Sequence, residues 1–305
     1  MRPGPGMILA CAIHLACAVQ AAAAGDSVEL LRRIRQHMSD NLAHLPNYTC
    51  LETIERAMRP VKSRDFTLSD RLRLEVAYVG QDELYSWPGG EKFEDKPLPD
   101  MVGDAGTIST GSFALHANAV FRTNGPVFSW VGEAERNRRK TVRWDFRVSK
   151  EKSHYAIRTG SEYVVVAYHG LIEADEESLA LLRLEVDADD LPPEMRLRRV
   201  NEVIEYRQIR MGDSDFLLPV TSDLLVVDTT GFEKRNVTRF ERCRQYMGAS
   251  TVRFDVSESD AAGTLAAAPI ELPAGLSVDS ALRDKIDWAS AARGDRVYAT
   301  VTADV

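Results

Sequence analysis

Residues 71–79 of this sequence are RLRLEVAYV, and their alternation decides the class of fold. Leu72, Leu74, Val76 and Tyr78 occupy every second position, and charged residues fill most of the positions between them. A period of two gives a β-strand one apolar face and one polar face. The segment is therefore predicted to be a strand that packs on a core from one side.

Segments of the same kind recur along the chain, separated by short turn signals such as PGG and MGD. After a first strand from Tyr48, we predict further strands at 83–87, 141–149, 153–159, 162–170, 179–188, 194–211, 215–227 and 237–256. Parallel neighbours need long crossover connections, and few helical segments separate these strands, so an antiparallel meander is expected. The predicted fold is mainly β (α+β), an open antiparallel sheet or half-barrel.

Two helices are expected against this sheet. Residues 26–44 have a capping-box spacing at Asp26 and Glu29, an apolar stripe at helical period, and Pro46 just beyond their end. Residues 96–122 form a glycine- and threonine-rich loop followed by apolar residues at helical spacing, which predicts a short inserted helix. The glycines do not form a phosphate-binding motif. We expect the sheet to wrap around both helices.

The N-terminus has the three parts of a secretory signal peptide. One positive residue, Arg2, precedes an apolar stretch from Met7 to Val19 and a run of alanines that ends at Ala24. Lipoprotein processing at Cys11 or Cys17 is the alternative. We expect cleavage near Ala24 and export to the periplasm or cell envelope, with no transmembrane segment after cleavage.

Composition divides the rest of the chain. Residues 25–255 form the predicted β-rich half-barrel domain, and the small, acidic residues 256–268 are typical of a linker. Residues 269–305 have the turn and strand signals of a small C-terminal β module, with few residues for a core of their own. Either this module docks on the main domain, or the sequence is truncated relative to its natural length; we expect the second.

The charge balance excludes one class of partner. The chain has 38 Lys and Arg against 46 Asp and Glu, a formal net charge of −8, which becomes −9 when Arg2 leaves with the signal peptide. Nucleic acids and anionic membranes require a basic face, so we expect no nucleic-acid partner. The basic runs 136–140 and 195–200 are local exceptions that solvated loop and strand charges would explain.

The cysteines indicate a crosslink. Cys11 and Cys17 lie in the predicted signal peptide, which leaves Cys50 and Cys243 in an exported and oxidising setting. A disulfide between them is expected, with two free buried thiols as the alternative. Neither cysteine has the neighbours of a zinc site, so we predict no metal and no cofactor.

Known catalytic motifs are missing from the sequence. It contains no HExxH, no GxSxG and no histidine beside a cysteine. A hydrolase site would have to be assembled by folding, from His116, His154 or His169 with a carboxylate such as Asp104 or Asp145. We therefore expect a protein that is not an enzyme.

The stretch 85–95, YSWPGGEKFED, is the most distinctive aromatic segment. Pro88, Gly89 and Gly90 predict a tight turn flanked by aromatic side chains. Tyr85, Trp87 and Phe93 are candidates for an aromatic lip over a ligand groove, and cross-strand packing at a hairpin tip is the alternative.

Several motifs together resemble a family of uncharacterised exported bacterial proteins. They are LPNYTCLETIER, ELYSWPGGEKFED, GTISTGSF, LLRLEVDADDLPPEMRL, FLLPVTSDL and FERCRQY, within residues 27–255. In that pattern a cysteine occupies both the NYTC and the ERCR position, which supports the pairing of Cys50 with Cys243. The architecture also resembles the periplasmic lipoprotein-carrier (LolA/LolB-like) fold, an open half-barrel that holds helices on its concave side and binds acyl chains.

Three functional hypotheses follow. The first is a non-enzymatic envelope protein that binds a hydrophobic ligand, either a lipid or a lipoprotein acyl chain. The second is a structural or protein-interaction module whose interior is filled by its own side chains. The third is the hydrolase. An apolar cavity inside the half-barrel would favour the first hypothesis over the second.

Overall fold

The computed structural model describes residues 26–80, 82–90, 92–94, 98–103, 107–159, 162–245 and 277–302. The predicted signal peptide, the linker 256–268 and the last part of the strand predicted at 237–256 lie outside these residues. The helices are α1 over 26–43, α2 over Leu98–Val102 and α3 over Leu115–Phe121. Among the described residues, no helix is long and apolar enough to cross a membrane.

Fourteen strands are described. They are β1 Tyr48–Arg59, β2 Thr67–Val79, β3 Asp82–Ser86, β4 Val127–Arg136, β5 Arg139–Val148, β6 Ala156–Thr159, β7 Glu162–Val165, β8 Ala167–Asp175, β9 Leu181–Asp189, β10 Leu197–Met211, β11 Ser214–Asp228, β12 Glu233–Gln245, β13 Ser280–Leu282 and β14 Ala299–Val301. Single 3₁₀ turns lie at Lys150–Lys152 and Pro193–Met195.

Ten of the strands form one open antiparallel sheet, which confirms the predicted fold class. Their order is β3-β2-β1-β12-β11-β10-β9-β8-β5-β4, and β6 and β7 form a separate hairpin. The order departs from a simple meander, because β1 pairs with β12 in the middle of the sheet. After β3, at one edge, the chain crosses the sheet through α2 and α3 and returns as β4 at the other edge. We call the face crossed by this inserted segment the inner face.

Two apolar clusters fill most of the inner face. In the first, Ile34, Met38 and Leu42 of α1 pack with α3 and with β5, β8, β9 and β10. In the second, the N-terminal part of the inserted segment packs on β1, β2 and β3, with Phe113 against Tyr48 at a ring-centroid distance of 4.8 Å. The sheet therefore wraps around the N-terminal helix and the short inserted helix, as predicted.

The strand predicted at 162–170 is divided between β7 of the hairpin and β8 of the sheet, and two elements between β3 and β5 were not predicted. β4 was not predicted, because it lies at the edge of the sheet and Val127, Trp130 and Val131 are exposed, so its period of two is broken. A bulge between Trp130 and Gly132, where Gly132 has a φ of 144°, breaks the period further. α2 is also new, and its five residues are too few for a periodic signal.

The basic run 136–140 belongs to a network of ion pairs on the outer face. Arg136 contacts Glu205 at 2.8 Å, and Arg139 contacts Asp175 at 3.4 Å. Arg199, from the second basic run, pairs with Asp187 at 3.1 Å. These charges are compensated within the sheet, as the solvated-charge interpretation requires.

The C-terminal residues 277–302 lie against the edge of β2. The Arg293 N–H donates to the Arg71 carbonyl at 2.8 Å, and the Arg73 N–H donates to the Arg293 carbonyl at the same distance. The Arg293 side chain also donates to the Val102 carbonyl at 2.7 Å. The segment thus satisfies backbone groups of β2 that the short strand β3 leaves unpaired, and it contacts α2.

Candidate ligand-binding site

A cavity of about 1110 Å³ opens on the inner face at one end of the sheet. It is bounded by the adjoining ends of β10, β11 and β12, by α2 and the following loop, and by the β6–β7 hairpin. Its apolar lining consists of Leu98, Ile108, Leu115, Ile157, Met195, Leu197, Val200, Leu224, Val226 and Phe232. This volume is slightly above the range usual for small-molecule sites, which is about 300–1,000 Å³.

The floor of the cavity follows from strand register. Val226 of β11 pairs with Val200 of β10, and Leu224 is the next inward residue of β11. These three side chains form a small apolar cluster that is separate from the two large ones. Because neither α1 nor α3 contributes to this cluster, the end of the sheet keeps an apolar floor that the helices do not cover.

Glu83 fixes the segment that roofs the cavity. Its Oε2 accepts from the Gly111 N–H and from the Tyr85 hydroxyl, both at 2.9 Å. Its Oε1 accepts from the N–H groups of Ala114 at 2.8 Å and Leu115 at 3.2 Å. A single carboxylate on β3 thus satisfies three backbone donors where the loop enters α3.

Glu202 anchors the same segment from β10. It is 1% exposed and accepts from Ser109 at 3.0 Å and from Ser222 at 2.5 Å, and His116 Nε2 lies 3.2 Å from its Oε2. Burial alone would raise the pKa of Glu202, but the hydrogen bonds and the charge of His116, together with the two serines, lower it. Glu202 is therefore a carboxylate held by three side-chain partners.

Glu52 differs from Glu83 and Glu202 in its surroundings. It is 3% exposed, and its Oε2 has no hydrogen-bond partner among the described residues. Burial raises the pKa of Glu52 to about 8, with further contributions from the negative charges of Glu83 and Glu202. At neutral pH Glu52 is thus mostly a neutral carboxylic acid.

A salt bridge closes one side of the cavity. Arg158 of β6 donates to Asp100 of α2 at 2.8 Å, and its guanidinium lies 5.6 Å from the centre of the Tyr163 ring. Arg158, Tyr163 and Ile157 all line the cavity from the hairpin, and Leu98 lines it from α2. Two short elements held together by one ion pair therefore form this wall.

The three predicted lip residues have different surroundings. Tyr85 is buried and lines the cavity, with its hydroxyl on Glu83. Trp87 packs against the second apolar cluster and lies 5.5 Å from the Arg293 guanidinium. Phe93 is half-buried. Neither Trp87 nor Phe93 is among the described residues that line the cavity. A tight turn does join these aromatic residues, with the Gly90 N–H donating to the Trp87 carbonyl at 2.9 Å.

The candidate catalytic residues are dispersed. His154 is exposed, and His169 pairs with Asp189 at 2.8 Å in the β8–β9 pair. Asp145 is exposed on β5, and Asp104 lies outside the described residues. Within the described ranges, no three His, Cys, Asp or Glu side chains are grouped to hold a metal ion.

His116 does meet a carboxylate, as the hydrolase hypothesis required, but the order of the groups differs from that of a catalytic triad. Glu202 lies between Ser109 and His116, whereas in a triad the histidine lies between the nucleophile and the carboxylate. The base next to the Ser109 hydroxyl is thus a carboxylate of lowered pKa, which is a weak acceptor for a serine proton. The arrangement is suited to holding the loop on the sheet.

Cys50 and Cys243 form a disulfide between neighbouring strands. Their Cα atoms are 4.1 Å apart, at the bulge that interrupts the β1–β12 pairing between Thr49 and Leu51. The bond closes a loop with a sequence separation of 193 residues. It joins β1 and β12, which are the first and last strands of the ten-stranded sheet in chain order and lie side by side in it.

Sequence reasoning did not select Glu52, Glu202 or Glu83, although a signal was present for the first two. Glu52 shares its strand face with Cys50 and Ile54, and Glu202 shares its face with Val200 and Ile204. A charged residue at an inward position of an alternating strand indicates a polar site inside the fold. Glu83 gave no such signal, because β3 is only five residues long.

No protein-family model and no curated protein matches the chain in sequence. Among solved structures, it is similar to a domain described as an outer membrane lipoprotein-sorting protein of Vibrio parahaemolyticus, with 12% identity, a TM-score of 0.42, and coverage of 72% of this chain and 93% of that one. It is also similar to a DUF1329 family protein from Desulfovibrio piger ATCC 29098, with 12% identity, a TM-score of 0.38, and coverage of 74% and 96%. At these scores, neither similarity says anything about activity.

Proposed function

We propose that this protein is exported to the periplasm or cell envelope and binds a hydrophobic ligand there, a lipid or the acyl chain of a lipoprotein, without catalysing a reaction. The observation that carries the proposal is the cavity of about 1110 Å³ on the inner face. Leu224, Val226 and Val200 form its floor, Ile157 of the hairpin packs against them, and Leu98 of α2 also lines the cavity.

Binding of a hydrocarbon chain to the apolar part of this lining is favourable. Each methylene group moved from water to an apolar surface contributes about 0.8 kcal/mol. The cavity is also lined by polar side chains, and two of them, Ser109 and Tyr85, are already hydrogen-bonded within the protein. A hydrocarbon chain can therefore enter without leaving a buried donor or acceptor of these two side chains unpaired.

Filling the cavity from within should weaken binding. We expect the wild-type protein to bind n-dodecyl maltoside, a neutral amphiphile, below its critical micelle concentration in calorimetric titrations. Val226→Trp extends a large ring from the floor and should weaken this binding by about tenfold or more, a loss of at least ~1.4 kcal/mol. Ile157→Trp fills the same space from the hairpin and should act alike even if one of the two variants folds poorly.

Val131→Trp is the matched control, because Val131 is half exposed on β4 and does not line the cavity. Circular dichroism and melting curves identify the variants that keep the fold. Undiminished dodecyl maltoside binding in folded Val226→Trp and Ile157→Trp would contradict the proposal.

The second candidate is a structural or protein-interaction module with a filled interior. It is favoured by the two large clusters, in which α1 and α3 occupy most of the inner face. The two candidates differ in the role of the cavity. A module would tolerate Val226→Trp without loss of any ligand, whereas a carrier would not.

A further inference from the structure

Three cations line the described part of the cavity wall: Arg56, Arg158 and Lys234. Arg56 is 4% exposed and faces Asn236 of β12, and Lys234 is the next residue of β12 on the same face. Arg56 and Lys234 are therefore diagonal neighbours on adjacent strands, within reach of one bound group. Arg158 contributes its charge from the opposite wall, on the β6–β7 hairpin.

Two of these cations are paired with carboxylates that lie outside the described lining. Arg56 pairs with Asp70 and Arg158 with Asp100, and neither carboxylate is part of the described lining. Lys234 is exposed and makes no ion pair with any other residue that the structure describes. The ammonium group of Lys234 thus faces solvent at this side of the cavity.

Two of the three carboxylates in the described lining accept several hydrogen bonds from the protein itself. Glu83 accepts from three backbone N–H groups and a hydroxyl, and Asp228 accepts from the Thr230 and Phe232 N–H groups at 2.8 and 3.0 Å. These donors compensate the negative charge of both. Asp82 is exposed, on β3. The formal charges of the described lining balance, and the preference for an anion is local to Lys234 and Arg56.

We propose that the cavity takes an anionic amphiphile, with its hydrocarbon chain on the Leu224–Val226 floor and its carboxylate or phosphate group at Lys234 and Arg56. The inference rests on the proposed function and adds to it the chemical class of the ligand. Lysine and arginine are the usual partners of carboxylate and phosphate oxygens, and a few polar groups around an apolar pocket set the orientation of the ligand.

Four amphiphiles, each with twelve carbons in its chain counting the carboxyl carbon of laurate, distinguish the effect of the head group from that of the chain. They are laurate, dodecyl phosphate, dodecyl maltoside and dodecyltrimethylammonium, each titrated calorimetrically below its critical micelle concentration. We expect laurate or dodecyl phosphate to bind about tenfold more tightly than dodecyl maltoside, and the trimethylammonium compound most weakly. The tighter of the two anions identifies the source as a carboxylate or a phosphate, and either preference supports the proposal.

Lys234→Glu should weaken the binding of the anionic probes by about tenfold and leave dodecyl maltoside unchanged. Lys62→Glu is the matched control, because Lys62 is equally exposed, lies near the same end of the sheet and is outside the cavity lining. It should change neither affinity.

Equal affinities of the wild-type protein for maltoside and for both anions would overturn the head-group assignment, as would a Lys234→Glu variant that keeps the anion preference. A Lys234→Glu variant that also loses dodecyl maltoside would overturn it too, because the residue would then act on the fold. Absence of binding of all four probes is a different outcome, since it would contradict the proposed function itself.

Discussion

Replacing both Cys50 and Cys243 with alanine should lower the free energy of unfolding by about 2–5 kcal/mol. The crosslink spans 193 residues. In the chain-entropy model, closing a loop of this length raises the free energy of the unfolded state by about 5 kcal/mol. Strands β1 and β12 pair on both sides of the bond, so the folded structure should persist without it. The destabilisation should therefore come mainly from the greater conformational entropy of the unfolded chain. Urea denaturation monitored by circular dichroism measures the difference.

Reduction of the wild-type protein is the control for this prediction. If the crosslink and not the side-chain volume is responsible, the reduced wild-type protein should be destabilised by nearly the same amount as the double alanine variant. Non-reducing peptide mapping of the exported protein should yield a peptide that links Cys50 to Cys243. Two alkylatable thiols in the native protein, or unchanged stability after reduction, would contradict the account.

The Glu52→Gln variant should become more stable than the wild-type protein as the pH rises. The folded protein holds the pKa of Glu52 near 8, against an ordinary value of 4.5, so between these values the folded state binds a proton that the unfolded state has released. Stability therefore falls as the pH rises through this window, by at most about 5 kcal/mol for the whole shift. Below about pH 4.5 both states are protonated, and the contribution is constant.

A glutamine at position 52 cannot ionise, which removes this slope. We expect wild type and Glu52→Gln to differ little in stability at pH 4.5, and the variant to be more stable by about 2–4 kcal/mol at pH 9. The negative charges of Glu83 and Glu202 add to the effect in the wild type, because ionised Glu52 would repel both.

Urea unfolding at a series of pH values tests this expectation. Glu177→Gln is the matched control, since Glu177 is exposed and its replacement should leave the pH profile unchanged. Parallel profiles for wild type and Glu52→Gln between pH 5 and 9 would show that Glu52 is not held protonated in the fold.

Local patterns predicted most of the sheet, because alternation in stretches such as 71–79 depends only on one core face and one solvent face. The same patterns could not predict that β1 pairs with β12. That pairing joins residues almost 200 positions apart, such as Glu52 and Phe240, and no local signal specifies a partner at that distance. Only the cysteine count gave a long-range constraint, and it joins these two strands.

The site was less predictable than the fold. Tyr85 was selected for its aromatic ring and does line the cavity, but the cavity exists because α1 and α3 stop short of the floor at Val200 and Val226. How far a helix covers a sheet depends on tertiary packing and not on local period. Lys234, on a strand with ordinary alternation, had no sequence feature that distinguished it from other exposed lysines.

A protein that functions as proposed should hold a hydrophobic ligand on its inner face in the cell. Native mass spectrometry of the protein purified from its own envelope, followed by lipid extraction, tests this most directly when Val226→Trp is purified in parallel. We expect an amphiphile to co-purify with the wild-type protein and to be lost from folded Val226→Trp. A wild-type protein without any bound lipid, or a variant with the same lipid load, would contradict it.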